Sequence, residues 1–141
     1  MRARPVEGLD PAAPLRTNAA RIVATRLTEL RELAESALEP GAVEAQHDLR
    51  LAAKRLRYVL ELTGPCLGPE ADVARRLAKR LQGVLGDLHD CEAMLPSAAG
   101  IPSLETLLRT RRELLLKEFA ELWREQAEAT WLGLERALAV A

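Results

Sequence analysis

Apolar residues recur along this chain at three- and four-residue intervals, in stretches separated by proline and glycine, the pattern of amphipathic helices. The first stretch runs from about Leu15 to Ala37. Ile22, Val23, Leu27, Leu30 and Leu33 share its core stripe, and Glu39-Pro40-Gly41 stops it. The second runs from about Ala42 to Leu62 and ends at Thr63-Gly64-Pro65. Gly68-Pro69 marks the next start. A third helix is predicted over about Glu70 to Met94, with Val73, Leu77, Leu81, Val84, Leu85 and Leu88 on its apolar face. Pro96 to Pro102 reads as a loop, with Ser103 as a good N-cap for a fourth helix.

The last periodic stretch reaches from Leu104 to Ala139, and its core candidates are Leu107, Leu108, Leu114, Leu115, Phe119, Leu122, Trp123 and Leu134. A straight helix of that length spans about 54 Å, long for a small domain. A bend is therefore expected near Thr130 to Gly133, because glycine costs about 1 kcal/mol in a helix interior. Residues 1–14 hold three prolines and read as an extended leader to a single helical domain over 15–141. The sum is an all-α protein: an antiparallel four-helix bundle with a long, bent C-terminal helix.

Composition supports that class. Hydrophobic residues make up 48% of the chain, mostly helix-forming Leu and Ala, while aromatics are only 3%, which disfavours sheet. Met1-Arg2-Ala3-Arg4-Pro5 leads into no apolar run, so no signal peptide is expected. No segment approaches the roughly 20 apolar residues of a membrane span. Cys66 and Cys91 form no Cys-x-x-Cys pair and read as reduced thiols. A cytoplasmic protein is the simplest expectation.

Charge changes the picture more than composition does. The net charge of -1 argues against a general nucleic-acid binder. Yet between His47 and Arg80 lie Arg50, Lys54, Arg55, Arg57, Arg75, Arg76, Lys79 and Arg80, against only Asp48, Glu61, Glu70 and Asp72. On the second helix, His47, Arg50, Lys54, Arg57, Tyr58 and Glu61 fall within an arc of roughly 100°. Leu49, Ala52, Ala53, Leu56, Val59 and Leu60 occupy the opposite side, so the apolar arc can be buried while the basic arc faces a ligand. On the third helix, Arg75, Arg76, Lys79, Gln82, Gly83, Gly86 and Asp90 line the polar side. Antiparallel packing would let the two basic arcs converge on one groove.

Such a groove suits phosphate: Arg offers a planar fork and Lys a mobile point charge. Tyr58 is the only aromatic among these cations, so a base-stacking surface is not apparent. A solvated charged face with internal salt bridges fits the spacing as well. Gly83 and Gly86 weaken the third helix, and either a close helix contact, the preferred reading, or a ligand's approach to the backbone would compensate. His47-Asp48 and His89-Asp90 suggest a metal phosphohydrolase, but these are the only histidines and the ligand set is thin. Hydrogen bonding of His47 within the groove and local polar pairing of His89 and Asp90 are the simpler readings. Neither a nucleophile elbow nor a Gly-rich phosphate loop is present, so no catalytic residue, metal ligand or cofactor is assigned.

The motifs together resemble the CHAD domain, the conserved histidine α-helical domain. Val6-Glu7-Gly8-Leu9-Asp10-Pro11 and Pro14-Leu15 resemble its lead-in. The likeness is strongest in His47-Asp48-Leu49-Arg50 and Lys54-Arg55-Leu56-Arg57-Tyr58, with Glu61 one turn on. It continues through Lys79-Arg80-Leu81-Gln82-Gly83-Val84-Leu85-Gly86-Asp87-Leu88-His89-Asp90. The resemblance implies an all-helical fold and non-enzymatic binding of inorganic polyphosphate through a basic groove. The residues it implicates are His47, Arg50, Lys54, Arg55, Arg57, Tyr58, Arg75, Arg76, Lys79 and Arg80, with Arg55 and Arg80 off the basic arcs. Some members of the family accompany polyphosphate granules. Members usually carry two such units, whereas this chain has one His-Arg-Lys-Arg block and one Gln-Gly-His-Asp block; a homodimer would rebuild the pair. The alternative is a helical dimerisation module whose groove meets an acidic protein or RNA.

Overall fold

In the computed structural model, residues 2–141 are described, and Met1 of the leader lies outside them. Helices α1 (Leu15–Ala37), α2 (Val43–Thr63) and α3 (Pro69–Met94) follow one another through short turns. A last, interrupted helix comprises α4 (Pro102–Leu122), a π-helical turn (Trp123–Ala127) and α5 (Glu128–Ala139). No strand forms among the described residues. The fold is all-α with four helices, the last one long.

The breakers act where their chemistry directs. Gly41, Gly68 and Gly100 take positive φ values of 80°, 94° and 87° in the three connections, a region that side chains with a Cβ rarely enter. Pro69 and Pro102 open α3 and α4, where a missing N–H costs nothing and φ is already set. Pro102 also displaces the expected cap: Ile101 precedes α4, and Ser103 lies inside its first turn without capping it. The end of α1 is closed by Gln46, whose amide donates to the carbonyls of Ala37 at 3.2 Å and Glu39 at 3.4 Å.

α3 is the centre of the bundle. It packs against α2 on one side and against α4 and α5 on the other, while α1 packs between α2 and α5. Val23, Leu27 and Leu30 of α1 meet Leu49, Leu56 and Leu60 of α2 and Leu81, Leu85 and Leu88 of α3 in one buried core. Phe119, Trp131 and Leu134 close it from the last helix. Three core candidates fall outside: Val73, Leu107 and Leu114 are 47%, 64% and 63% exposed. α4 rests on α3 and its own flanking turns, so only its Leu108, Leu115, Phe119 and Leu122 stripe is covered. Ile22, Leu33 and Trp123 are half-buried.

The bend expected at Thr130 to Gly133 is displaced. Those residues are regular helix, and the irregular turn is Trp123–Ala127. The buried stripe explains the difference. It steps by three or four from Leu115 to Phe119 to Leu122, then by five to Ala127, then by four and three to Trp131 and Leu134. A five-residue step is the π period, and one such turn keeps both halves of the stripe facing the core. Gly133 is accommodated without a break; a Cβ there would meet Glu70 Cγ at an ordinary 3.8 Å.

The leader lies along α1. Asp10 and Asn18 bind each other through backbone and side chain at 3.0 and 2.7 Å. The Arg4 N–H donates to Glu29 at 3.1 Å, and the Arg4 guanidinium pairs with Glu32. Cys66 and Cys91 are free thiols.

Candidate functional site

The face between α2 and α3 follows from how α2 is buried. Leu49, Ala52, Ala53, Leu56 and Leu60 are within the core and Val59 is half-buried against it. The complementary arc is therefore turned outward. Ala71, Ala74 and Ala78 of α3 are fully buried, and such small side chains let helices approach closely.

Two contacts set the register of this pair. The His47 and His89 rings lie 5.0 Å apart, tilted by 32°. One turn on, the Arg50 Nε sits 3.4 Å from where a Cβ on Gly86 would be. The helices therefore run antiparallel, each step along α2 matched by a step back along α3. The same register puts Lys54 opposite Gln82, Arg57 opposite Lys79 and Glu61 opposite Arg75. Consistent with it, Glu61 and Arg75 line one hollow of about 480 Å3 with Leu60, Gly64, Gly68 and Asp72.

The glycines now have distinct roles. Gly86 makes room for the Arg50 guanidinium, whereas a Cβ on Gly83 would meet nothing within 4 Å. The helix contact expected from the sequence holds for Gly86, against a side chain of α2, and not for Gly83. His89 likewise does more than pair locally, since its ring packs on His47. The Nδ1 of His47 is buried and makes no hydrogen bond, contrary to the hydrogen-bonded histidine expected. Arg50 Nε and Gln82 Oε1 along the same seam also lack a hydrogen-bond partner.

Ion pairing divides the cations. Arg57 lies 3.3 Å from Glu61 and also stacks on Tyr58, 4.6 Å from the ring centre. Arg75 and Arg76 both hold Asp72, at 2.9 and 3.0 Å. The hydrogen bonds from Arg75, with the charges of Arg75 and Arg76 behind them, keep the Asp72 carboxyl below the ordinary carboxylate range against an opposing push from desolvation. Arg55 points the other way and lies 3.7 Å from Glu29. Glu29 is 4% exposed and also takes Arg26 and the Arg4 N–H. Among the described residues, Arg50, Lys54, Lys79 and Arg80 have no carboxylate within 4.0 Å. Lys54 has only the Tyr58 ring, 5.8 Å away.

Of the ten residues singled out from the sequence, His47, Arg50, Lys54, Arg57, Tyr58, Arg75 and Lys79 thus line the α2–α3 seam. Arg76 and Arg80 are exposed on α3 and flank it by helical phase. Arg55 is removed from it, between α1 and α2. Sequence reasoning placed Gln82 on the polar side of the third helix and read His89 as pairing locally with Asp90, but assigned neither to the groove; only the tertiary register shows His89 opposite His47. Among the described residues, no group of three or more His, Cys, Asp or Glu side chains is arranged to hold a metal. Among the same residues, no helix is long and apolar enough to cross a membrane.

Fold and face together define an all-helical protein with a cation-lined seam between two antiparallel helices. Residues 2–96 match the model of the CHAD domain, and the chain belongs to that family. The family is associated with polyphosphate binding in general. The match takes in the leader, α1, α2 and α3, and with them every residue of the seam. The DNA mismatch repair protein MutL of Shewanella halifaxensis (strain HAW-EB4) is 26% identical over 136 residues, which cover 92% of this chain but 21% of that protein. This chain therefore spans about a fifth of that relative's length, and a likeness of that extent carries no function across. No solved structure matches the chain.

Proposed function

We propose that this chain is a non-enzymatic module that binds inorganic polyphosphate along the α2–α3 seam. One observation carries the reading: Arg50, Lys54, Lys79 and Arg80 stand without a carboxylate on or beside a face that also holds three paired arginines. Like charges spaced three and four residues apart on a helix repel, and a repeating anion relieves that repulsion at several places at once. What the face offers is charge and hydrogen-bond donation, which hold an anion without transforming it. Affinity then grows with chain length, because each phosphate after the first binds at high effective concentration.

The setting we propose is cytoplasmic, at polyphosphate granules, with two copies of the chain supplying the two motif sets that family members usually carry together. Light scattering at high protein concentration tests the pairing, and a monomer contradicts it. Arg50→Ala combined with Lys54→Ala tests the seam. Loss of tenfold or more in affinity for long-chain polyphosphate at low salt, with unchanged helix content, supports the assignment. Unchanged affinity places the ligand elsewhere.

A further inference from the structure

The seam has two kinds of cation, open and paired, and the carboxylates that hold the motif arginines, on the seam and away from it, differ sharply in how firmly they hold them. Glu29 is buried and holds Arg55 and Arg26 inside the fold. Asp72 is 53% exposed and holds Arg75 and Arg76, three and four residues further along the same helix. A buried pair cannot be opened without stranding a charge, whereas exposed pairs at three- and four-residue spacing are weak and screened by salt. A polyanion arriving at the seam can therefore displace Asp72, whereas Glu29 and its partners stay closed within the fold away from it.

We propose that Asp72 is an internal counter-anion of the seam, occupying Arg75 and Arg76 until a polyanion anchored on Arg50, Lys54 and Lys79 displaces it. The inference rests on the polyphosphate reading above and adds a residue that the reading does not use. Its position supports it. Asp72 and Arg75 line the hollow at the end of the seam, with Glu61 across from them on α2. A chain bound along the open cations runs toward that hollow. Its next phosphates meet two arginines whose carboxylate is already present at high local concentration, so the ligand gains little from them. The depressed Asp72 carboxyl is the mark of this occupancy.

The consequence can be read in the salt dependence. When a phosphate displaces Asp72, the counterion it sheds is offset by one drawn to the freed carboxylate, so only the unpaired cations contribute to the net release. For a single-stranded polyanion each contributes about 0.7 to the slope of log K against log salt. Four unpaired cations give a slope of about -3, and freeing Arg75 and Arg76 takes it to about -4.

The test titrates labelled long-chain polyphosphate into full-length wild type, Asp72→Asn and Asp87→Asn across a salt series. Asp87 is an exposed α3 carboxylate 3.8 Å from Arg111 of α4, so its amide makes the same change in net charge away from the hollow. The inference expects Asp72→Asn to bind about fivefold tighter at low salt with the steeper slope, and Asp87→Asn to follow wild type. Equal gains in both variants show a net-charge effect and overturn it. Wild-type binding with Asp72→Asn unchanged overturns the inference and leaves the polyphosphate reading standing. Absence of wild-type binding overturns both. Helix content of each variant is compared by circular dichroism, and Asp72→Glu, which restores the charge, is expected to return affinity and slope toward wild type.

Discussion

Replacing Gly83 with alanine is expected to stabilise this protein, and by a calculable amount. Gly83 lies within α3 in ordinary helical conformation, and a Cβ there would meet nothing within 4 Å. The substitution therefore has no packing cost. Its gain is the propensity difference between glycine and alanine in a helix interior, about 0.8–1 kcal/mol, part of it from restricting the unfolded chain. For a domain of this size that corresponds to a rise in Tm of about 3–5 °C. Gly86 is the internal comparison. Its added methyl would lie 3.4 Å from Arg50 Nε, so the guanidinium must shift by a few tenths of an ångström. The same intrinsic gain is then offset, and Gly86→Ala is expected to raise Tm by less than half as much while weakening polyanion binding. Thermal unfolding of both variants, with polyphosphate titration of each, makes the comparison. A destabilised Gly83→Ala would refute the reasoning, because it would mean that something packs where the structure has open space.

Three further substitutions probe the scaffold. Glu29→Ala removes the buried carboxylate that pairs with Arg26 and Arg55 and is expected to cost about 3 kcal/mol in urea unfolding; a loss below about 1 kcal/mol would show that the two guanidinia are held well enough by other partners or by water. Trp131→Ala empties a fully buried site and should cost about 3–5 kcal/mol by the same measurement; a small loss would place Trp131 outside the core. Asp72 ionises below the ordinary carboxylate range, so its contribution to stability is present above that range and fades as pH falls through its depressed value. Asp72→Asn should therefore flatten the acid side of the stability profile, and an unchanged profile would mean the Arg75 pair is not formed in solution.

The helices were legible because their limits are set locally. Proline and glycine at 40–41, 64–65, 68–69 and 100–102 end and restart the chain at positions that neighbouring residues alone determine. The π-turn was also written in the sequence, as the five-residue step from Leu122 to Ala127 in the apolar stripe, but a reading fixed on Gly133 looked for the irregularity too far along. Leu107 and Leu114 have the spacing of core residues and are exposed because α4 leans on α3, a matter of how many neighbours a helix has. The seam divides in the same way. The basic arc of α2 follows from helical phase. The pairing of Arg55 with Glu29 on the preceding helix, and the packing of His89 on His47, depend on which helices touch and in what register. Charge spacing alone could not separate the four unpaired cations from those already held.

The central claim is that these cations bind polyphosphate as a set. It is tested most directly by titrating labelled long-chain polyphosphate into the purified protein over a series of salt concentrations, beside orthophosphate and an RNA of equal charge. The predicted binding weakens log-linearly with salt, with a slope of about -3, exceeds that of RNA and falls away with orthophosphate. Equal affinity for RNA, or no binding of polyphosphate at low salt, would contradict it.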